Sequence, residues 1–116
     1  MGMDRYEEHK YAQGVAGNSQ AQNFVVATLV PGKGQWEFRV IGRHTLIDGL
    51  KVTKIISGVT TDLFVLPSPA NGSSDSGYFT VSMITATDSI VVRLNTATGA
   101  ADTASAVIFG QNLAKL

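Results

Sequence analysis

The stretch SMITATDSIVVRLNTATGAAD, residues 82–102, decides the fold class. Within it, Ile90, Val92 and Leu94 fall on one face of an extended chain, while the residues between them face the other way. Strict period-two alternation of this kind is typical of a half-buried β-strand. The segment NTATGAAD that follows holds small residues and turn formers, so it predicts a loop. A strand over 88–95 is therefore the first element predicted.

The rest of the chain repeats this pattern of short strands and turns. The residues between strands are rich in Gly, Pro, Asn, Asp and Ser, and no segment keeps a 3.6-residue period over three turns. An antiparallel β-sandwich or jelly roll of seven to eight short strands is the predicted fold. Strands are predicted at 23–30, 36–40, 50–56, 62–66, 78–83, 88–95 and 104–109.

Two connections have specific turn chemistry. Pro31 to Gly34 joins the first two predicted strands, and this Pro-Gly-Lys-Gly sequence favours a β-hairpin between them. Residues 67–77, PSPANGSSDSG, predict a long surface loop.

The N-terminal segment differs from the rest of the chain. Residues 1–20 begin with crowded charges and continue with small polar residues, which predicts an extended N-terminal arm, and residues 21–116 form the predicted β domain. Tyr6, Tyr11 and Val15 are the side chains by which such an arm would attach to its own domain or to a neighbour.

Composition limits the classes of partner. The chain has 116 residues with nine Lys and Arg, nine Asp and Glu, a formal net charge of zero and no Cys. A neutral chain has no general attraction to nucleic acid or to an anionic membrane, so neither is a predicted partner. The lack of charge also removes the repulsion that keeps monomers apart, which favours assembly.

The patterns that could carry chemistry lack partners. His44 stands four residues before Asp48, but no further ligand or nucleophile accompanies them, so an ordinary loop histidine is predicted. Lys33 lies between glycines without the spacing or the helix of a phosphate-binding loop. Asn71 begins an Asn-Gly-Ser acceptor motif, for which a plain turn is the prediction.

The carboxylates favour structural roles. Asp62, Asp88 and Asp102 each stand at the edge of a predicted strand, where hydrogen bonds to turn backbone explain them. No catalytic residue, metal site or cofactor is predicted, and the chain is not expected to be an enzyme.

The strand Trp36–Val40 separates core from surface. Its alternation places Trp36 on the apolar face, where a core role is favoured over a ring that stacks on a ligand. Glu37 and Arg39 fall on the opposite face, and they are the predicted interaction residues if that face is an interface.

Two segments carry a resemblance to a known family. The strand Asp62-Leu63-Phe64-Val65 before a Pro, and the segment Ile84 to Asp102, resemble small β-domain proteins of tailed bacteriophage particles, as does the run from Gly17 into Phe24-Val25-Val26. Ser89 stands where Thr is common in that family, and residues 36–56 have no clear counterpart.

The resemblance implies a capsid decoration or cement protein. Such a protein binds the major capsid protein, stabilises the head, forms a homo-oligomer, and is located on the capsid surface of the virion after synthesis in the host cytoplasm. An alternative from the residues themselves is a carbohydrate- or cell-surface-binding module. That alternative needs Trp36 or Tyr78 exposed beside polar groups.

Overall fold

The computed structural model of the protein describes residues 8–44, 49–67, 73–100 and 102–113. These residues form eight antiparallel strands in two four-stranded sheets. The strands are β1 His9–Ala16, β2 Val25–Leu29, β3 Gly34–His44, β4 Leu50–Ile56, β5 Val59–Leu66, β6 Ser74–Met83, β7 Ser89–Leu94 and β8 Ala104–Asn112.

The strand order is that of a jelly roll. One sheet has the order β1-β8-β3-β6 and the other has the order β2-β7-β4-β5. Strand β1 pairs with β8, β2 with β7, β3 with β6 and β4 with β5, as when one long hairpin is rolled up. The predicted antiparallel sandwich is confirmed, and the sheet order selects the jelly roll.

The core lies between the sheets and follows the predicted alternation. Trp36, Phe38 and Val40 of β3 are buried with exposures of 1% or less, which confirms the core role of Trp36. The indole N–H of Trp36 donates to the carbonyl of Gly32 at 3.0 Å, so the only polar group of this buried side chain has a hydrogen-bond partner. Other strands contribute Ile90, Val92, Leu94 and Ile108.

The predicted hairpin at Pro31–Gly34 is wrong. Strand β2 lies in one sheet and β3 in the other, so this connection crosses between the sheets. Pro31 is fully buried, and Gly32 and Gly34 have φ values of 103° and 128°. A two-residue hairpin lies elsewhere, between β4 and β5. Its turn is Ser57–Gly58, with φ of 51° and 82°.

The described part of the predicted arm contains a strand. Residues His9–Ala16 form β1, which pairs with β8 at the edge of its sheet. Three of the four inward positions of β1 hold small residues, Ala12, Gly14 and Ala16, because β1 lies directly against β2. A Cβ added to Gly14 would come within 1.9 Å of the Val26 carbonyl oxygen. The boundary between arm and domain at residue 20 stays a prediction.

Several strands are longer than predicted. Strand β3 continues to residue 44 because its pairing with β8 continues to Ala104. His44 is therefore a buried strand residue, 4% exposed, and the expected loop histidine is wrong. Asp62 lies inside β5, three residues from its start, with its carboxylate 3.7 Å from the Lys51 ammonium. Asp48, Asn71 and Gly72 lie outside the described residues.

The loop after β7 is tied to the connection between β1 and β2. The buried Thr98 hydroxyl accepts the backbone N–H of Gln20 at 2.7 Å and donates to the Gly17 carbonyl at 3.0 Å. The backbone of Ser19 also donates to the Gly99 carbonyl at 3.0 Å. A loop without reactive side chains thus holds two connections together at one end of the sandwich.

Replacing the Thr98 hydroxyl will measure this tie. In Thr98→Val the shape is kept, but the Gln20 N–H and the Gly17 carbonyl lose their partner, at a cost of about 2 kcal/mol. We expect the melting temperature to fall by roughly 10 °C in a calorimetric scan. Thr96→Val, at an exposed position of the same loop, is the control and should change little. Equal melting temperatures for the two variants would contradict the tie.

Candidate interaction surface

The strongest candidate site is the solvent side of the β1-β8-β3-β6 sheet, which we call the outer sheet face. Alternate residues of these strands point away from the core. The face comprises His9, Tyr11, Gln13, Val15, Gln35, Glu37, Arg39, Ile41, Arg43, Asp75, Tyr78, Thr80, Ser82, Ser105, Val107, Phe109 and Gln111.

The strand registers assemble one row across this face. Tyr11 pairs with Phe109, Phe109 pairs with Arg39, and Arg39 pairs with Tyr78. The four side chains, called the aromatic row, therefore lie side by side across all four strands. Tyr11 is 67% exposed, Tyr78 68% and Phe109 45%. Contiguous exposed apolar groups of this kind mark interaction sites, because a solvent-facing sheet is usually polar.

Arg39 is fixed within the row by two neighbours. Its guanidinium carbon lies 5.5 Å from the centre of the Tyr78 ring, and its Nε donates to both carboxylate oxygens of Asp75 at 3.0 Å. A bulge in β6 turns Asp75 towards Arg39, since the register shifts between Arg39 and Ile41 and Gly77 has a φ of 70°. The planar cation is thereby held beside an aromatic ring.

The ion pair neutralises its own charges. The hydrogen bond from Arg39, followed by the backbone N–H of Gly77 at 2.9 Å, lowers the pKa of Asp75 to about 2. The same contact raises the pKa of Arg39. Both groups stay ionised at any ordinary pH, so the centre of the face remains neutral overall. Because the pair is partly exposed, it adds little to the free energy of unfolding, and its main effect is to hold the Arg39 guanidinium in place.

A groove lies beside the aromatic row. It has a volume of about 340 Å³ and is lined by row residues together with His9, Glu37, Ile41, Gly110 and Gln111. Both apolar and polar side chains line it, which suits a protein segment or a small polar ligand better than a purely apolar one.

The outer face of the second sheet has a different character. Lys51 and Arg93 are direct cross-strand neighbours there, and both reach Asn23, at 3.1 Å to its Oδ1 and 3.4 Å to its carbonyl. Like charges placed opposite each other repel. Asp62, 3.7 Å from Lys51, offsets only one of them. This face therefore keeps an excess of positive charge.

The predicted interaction residues fall on one surface where they are described. Tyr11, Val15, Glu37 and Arg39 all belong to the outer sheet face. Tyr6 lies outside the described residues. Their role in binding stays a prediction, but the fold brings four separate sequence positions together.

Phe109 and Asp75 also belong to this surface, although the sequence did not lead us to predict them. In β8 the run Val107-Ile108-Phe109 is apolar throughout, so composition does not separate the inward from the outward positions. The alternation of Ala104, Ala106 and Ile108 on the buried side was the available signal. It places Phe109 outside.

The carboxylates near strand ends have structural roles. Buried Asp88 accepts hydrogen bonds from the backbone of Ser57, Ile84 and Thr85 and from the Thr85 hydroxyl. Asp102 accepts the Gly99 N–H at 3.1 Å. The predicted turn-capping roles of Asp88 and Asp102 are confirmed.

Metal-ligand clusters and membrane-spanning helices are both missing from the described part of the chain. Across the described ranges, no three His, Asp or Glu side chains cluster as metal ligands. Those ranges also contain no helix with the length and apolar character to cross a bilayer.

The sheet order and closed core define the chain as a jelly-roll β-sandwich protein, and solved structures share this fold. No protein-family model and no curated protein matches the sequence. A chain from the acid-stable capsid of Helicobacter pylori bacteriophage KHP30 superposes with a TM-score of 0.54 at 10% identity, over 90% of this chain and 92% of that one.

Other structural matches come from different settings. The globular domain of zebrafish complement 1qA gives a TM-score of 0.52 at 13% identity, covering 86% of this chain and 94% of that one. A Bacillus endospore appendage protein, from a family of disulfide-linked pili, gives 0.50 at 13% identity, covering 99% and 96%. At these identities the likeness shows the fold alone, a β-sandwich that a viral capsid chain shares.

Proposed function

We propose that the chain is a non-enzymatic virion structural protein of the capsid decoration or cement type. In this role it binds the major capsid protein on the outside of the head, stabilises the particle and associates with itself. The observation that carries the proposal is the aromatic row, three exposed rings and an anchored arginine across one rigid sheet. Buried aromatic and arginine anchors supply much of the energy of protein interfaces.

The rest of the molecule suits a role in assembly. The formal net charge is zero, so copies can be packed closely without strong repulsion. Three carboxylates that could take part in chemistry make hydrogen bonds within the fold. Asp75 binds Arg39, while Asp88 and Asp102 cap turns. A capsid chain of the same fold, in the Helicobacter pylori phage particle, supports the proposal by analogy of fold.

The N-terminal segment has a part in this proposal. Because β1 belongs to the sandwich, only the residues before it can extend to another molecule as an arm without unpairing a strand. Tyr6 is then the anchor of that extension, and Tyr11 and Val15 act on the outer sheet face.

The function is tested on the particles made by the virus or prophage that encodes the chain. We expect the chain in purified heads at a fixed, high copy number by quantitative mass spectrometry. Heads from a deletion strain should assemble but release DNA at a lower temperature, and added purified chain should restore them. Absence of the chain from purified particles would contradict the function.

The arm is tested separately by removing residues 1–7. We expect this variant to keep the melting temperature of the full chain and to occupy fewer sites on heads that lack the protein. Full occupancy would remove Tyr6 from the interaction residues while leaving the virion function in place.

A second candidate function is a carbohydrate- or cell-surface-binding module. Tyr78 is 68% exposed beside the Arg39–Asp75 pair and the groove, an arrangement in which a sugar ring can stack on tyrosine. Trp36, the other ring that could serve, is 1% exposed and cannot. Binding to a glycan array that Tyr78→Ala abolishes would favour this module over the virion protein.

A further inference from the structure

We propose that the outer sheet face is a contact between two copies of this chain, packed face to face about a two-fold axis. The axis runs parallel to the strands, between β8 and β3 and midway between the two molecules. This inference rests on the self-association in the proposed function and names its surface and symmetry. Because it is tested on the isolated chain, its failure would leave the virion function in place.

The aromatic row determines the direction of the axis. An axis along the strands reverses the row from left to right, so Tyr11 lies over the partner's Tyr78 and Phe109 lies over the partner's Arg39. Each pair occurs twice by symmetry. The first is an aromatic pair and the second a cation on a ring face, both favourable contacts. An axis across the strands would instead place Arg39 on the partner's Arg39.

The next row agrees with the same axis. Val107 pairs with both Gln13 and Ile41 in the sheet, and Ile41 pairs with Asp75. After the two-fold rotation, Val107 lies opposite the partner's Ile41. Two apolar side chains therefore meet beside the aromatic row, at the centre of the contact.

Polar residues meet polar residues further out. The rotation brings Gln13 opposite the partner's Asp75, and Gln111 opposite the partner's Glu37, since these are corresponding positions in reversed rows. Each pair joins an amide donor to a carboxylate acceptor. An apolar centre with a hydrogen-bonding rim is the usual anatomy of a protein interface.

Charge also favours a second copy as the occupant. The described outer sheet face carries two acids, Glu37 and Asp75, and two bases, Arg39 and Arg43, so its formal sum is zero. A neutral face can meet its own copy without net repulsion. The other sheet, with Lys51 and Arg93 side by side, cannot do so as easily.

The area indicates a weak dimer. Four strands at about 4.8 Å spacing and seven residues at about 3.4 Å rise give a footprint of roughly 450 Å² per copy. Two copies then bury on the order of 1,000 Å², which lies in the range of transient complexes. We therefore expect dissociation in the micromolar range, with dimers favoured wherever many copies are held close together.

Cross-linking tests the geometry without altering the aromatic row. His9 and Thr80 lie in the row above it at opposite edges of the sheet, and both are exposed. In the proposed dimer His9 faces the partner's Thr80 at the roughly 10 Å distance of packed sheets, whereas two copies of His9 lie about 17 Å apart. The chain has no Cys, so introduced thiols are the only targets for a short bis-maleimide.

The expected result is specific to the mixture. His9→Cys and Thr80→Cys, mixed in equal amounts and treated with the bis-maleimide, should give a covalent dimer on a denaturing gel, and each variant alone should give little. Thr28→Cys, on the other sheet, mixed with Thr80→Cys is the negative control. Equal cross-linking by single variants, or none in the mixture, would overturn the proposal.

Sedimentation equilibrium of the full chain measures the affinity. Phe109→Ser, which removes an exposed ring and its partner contact, should raise the dissociation constant by about tenfold or more. Val59→Ser, at another exposed apolar residue off this face, should leave it unchanged. A wild-type chain that stays monomeric up to millimolar concentration would refute the dimer, and would leave the face to the capsid protein.

Discussion

Alanine at Gly14 is expected to destabilise the protein more than the same substitution at any other glycine in the described strands. The new Cβ would lie 1.9 Å from the Val26 carbonyl oxygen and 3.0 Å from its carbon. Both are backbone atoms, so no side chain can turn away, and β1 must separate from β2. A forced backbone shift of this kind costs about 3 kcal/mol, equivalent to a fall in melting temperature of roughly 15 °C.

Gly17→Ala is the matched control. Among the described residues, no atom other than those of its chain neighbours lies within 4 Å of a Cβ at this position. Both substitutions restrict the unfolded chain equally, so the difference between their melting temperatures isolates the clash. A Gly14→Ala protein as stable as Gly17→Ala would show that the two sheets are not in close contact along this edge.

Asparagine at Asp88 is expected to loosen two connections at once. The buried carboxylate accepts the Ser57 N–H from the β4–β5 turn and the Ile84 and Thr85 N–H groups from the loop before β7. An amide has one acceptor oxygen and a donor nitrogen that cannot accept, so at least one buried N–H loses its partner. We expect the melting temperature to fall by about 10 °C, because unsatisfied buried donors are costly.

The loss should depend on pH in a defined direction. Burial alone raises the pKa of Asp88, but the hydrogen bonds from Thr85, Ser57 and Ile84 outweigh it and lower the pKa from its ordinary 3.8 to about 2. A carboxylate whose pKa is lowered by folding stabilises the fold fully when the pH is above its pKa in the unfolded chain. This contribution is lost as the pH falls through its pKa in the folded protein. The gap between wild type and Asp88→Asn should therefore narrow between about pH 4 and pH 2.

Calorimetry at neutral pH and at steps down to pH 2 checks both points. Asp102→Asn is the control, because that carboxylate accepts a hydrogen bond from one N–H in a more open position. A gap that stays constant with pH would mean that the Asp88 charge is not what the hydrogen bonds stabilise.

Local sequence patterns predict where the strands lie better than they predict which strands pair with each other. Period-two alternation identifies Trp36 and Phe38 as core residues, because one face of their strand is buried between the sheets. The same turn chemistry at Pro31–Gly34 serves either a hairpin or a crossing between sheets. Which sheet a strand joins depends on contacts distant in sequence, and the residues of the turn do not encode them.

Strand β1 was missed for a packing reason. Its inward positions include Ala12, Gly14 and Ala16, because the neighbouring strand leaves no room for large side chains. Because these positions lack large apolar residues, β1 shows no alternation of apolar and polar side chains. Its small polar composition therefore predicts an arm and not a strand. The face of Glu37 and Arg39 was predictable from alternation within one strand, but the row that Arg39 shares with Tyr11 and Phe109 required the long-range register.

The place of β8 between β1 and β3 sets the order of events when the chain is made. Strand β1 has its ladder partner in β8, far later in the sequence, and the backbone N–H of Asn112 donates to the Glu8 carbonyl at 2.8 Å. Contacts this distant in sequence make folding slow, and on the ribosome this sheet cannot be completed before β8 has emerged. A chain that stops before β8 would leave β1 without a ladder partner and β3 paired only with β6, with open edges available for aggregation. Emergence of β8 therefore acts as the checkpoint for a closed sandwich.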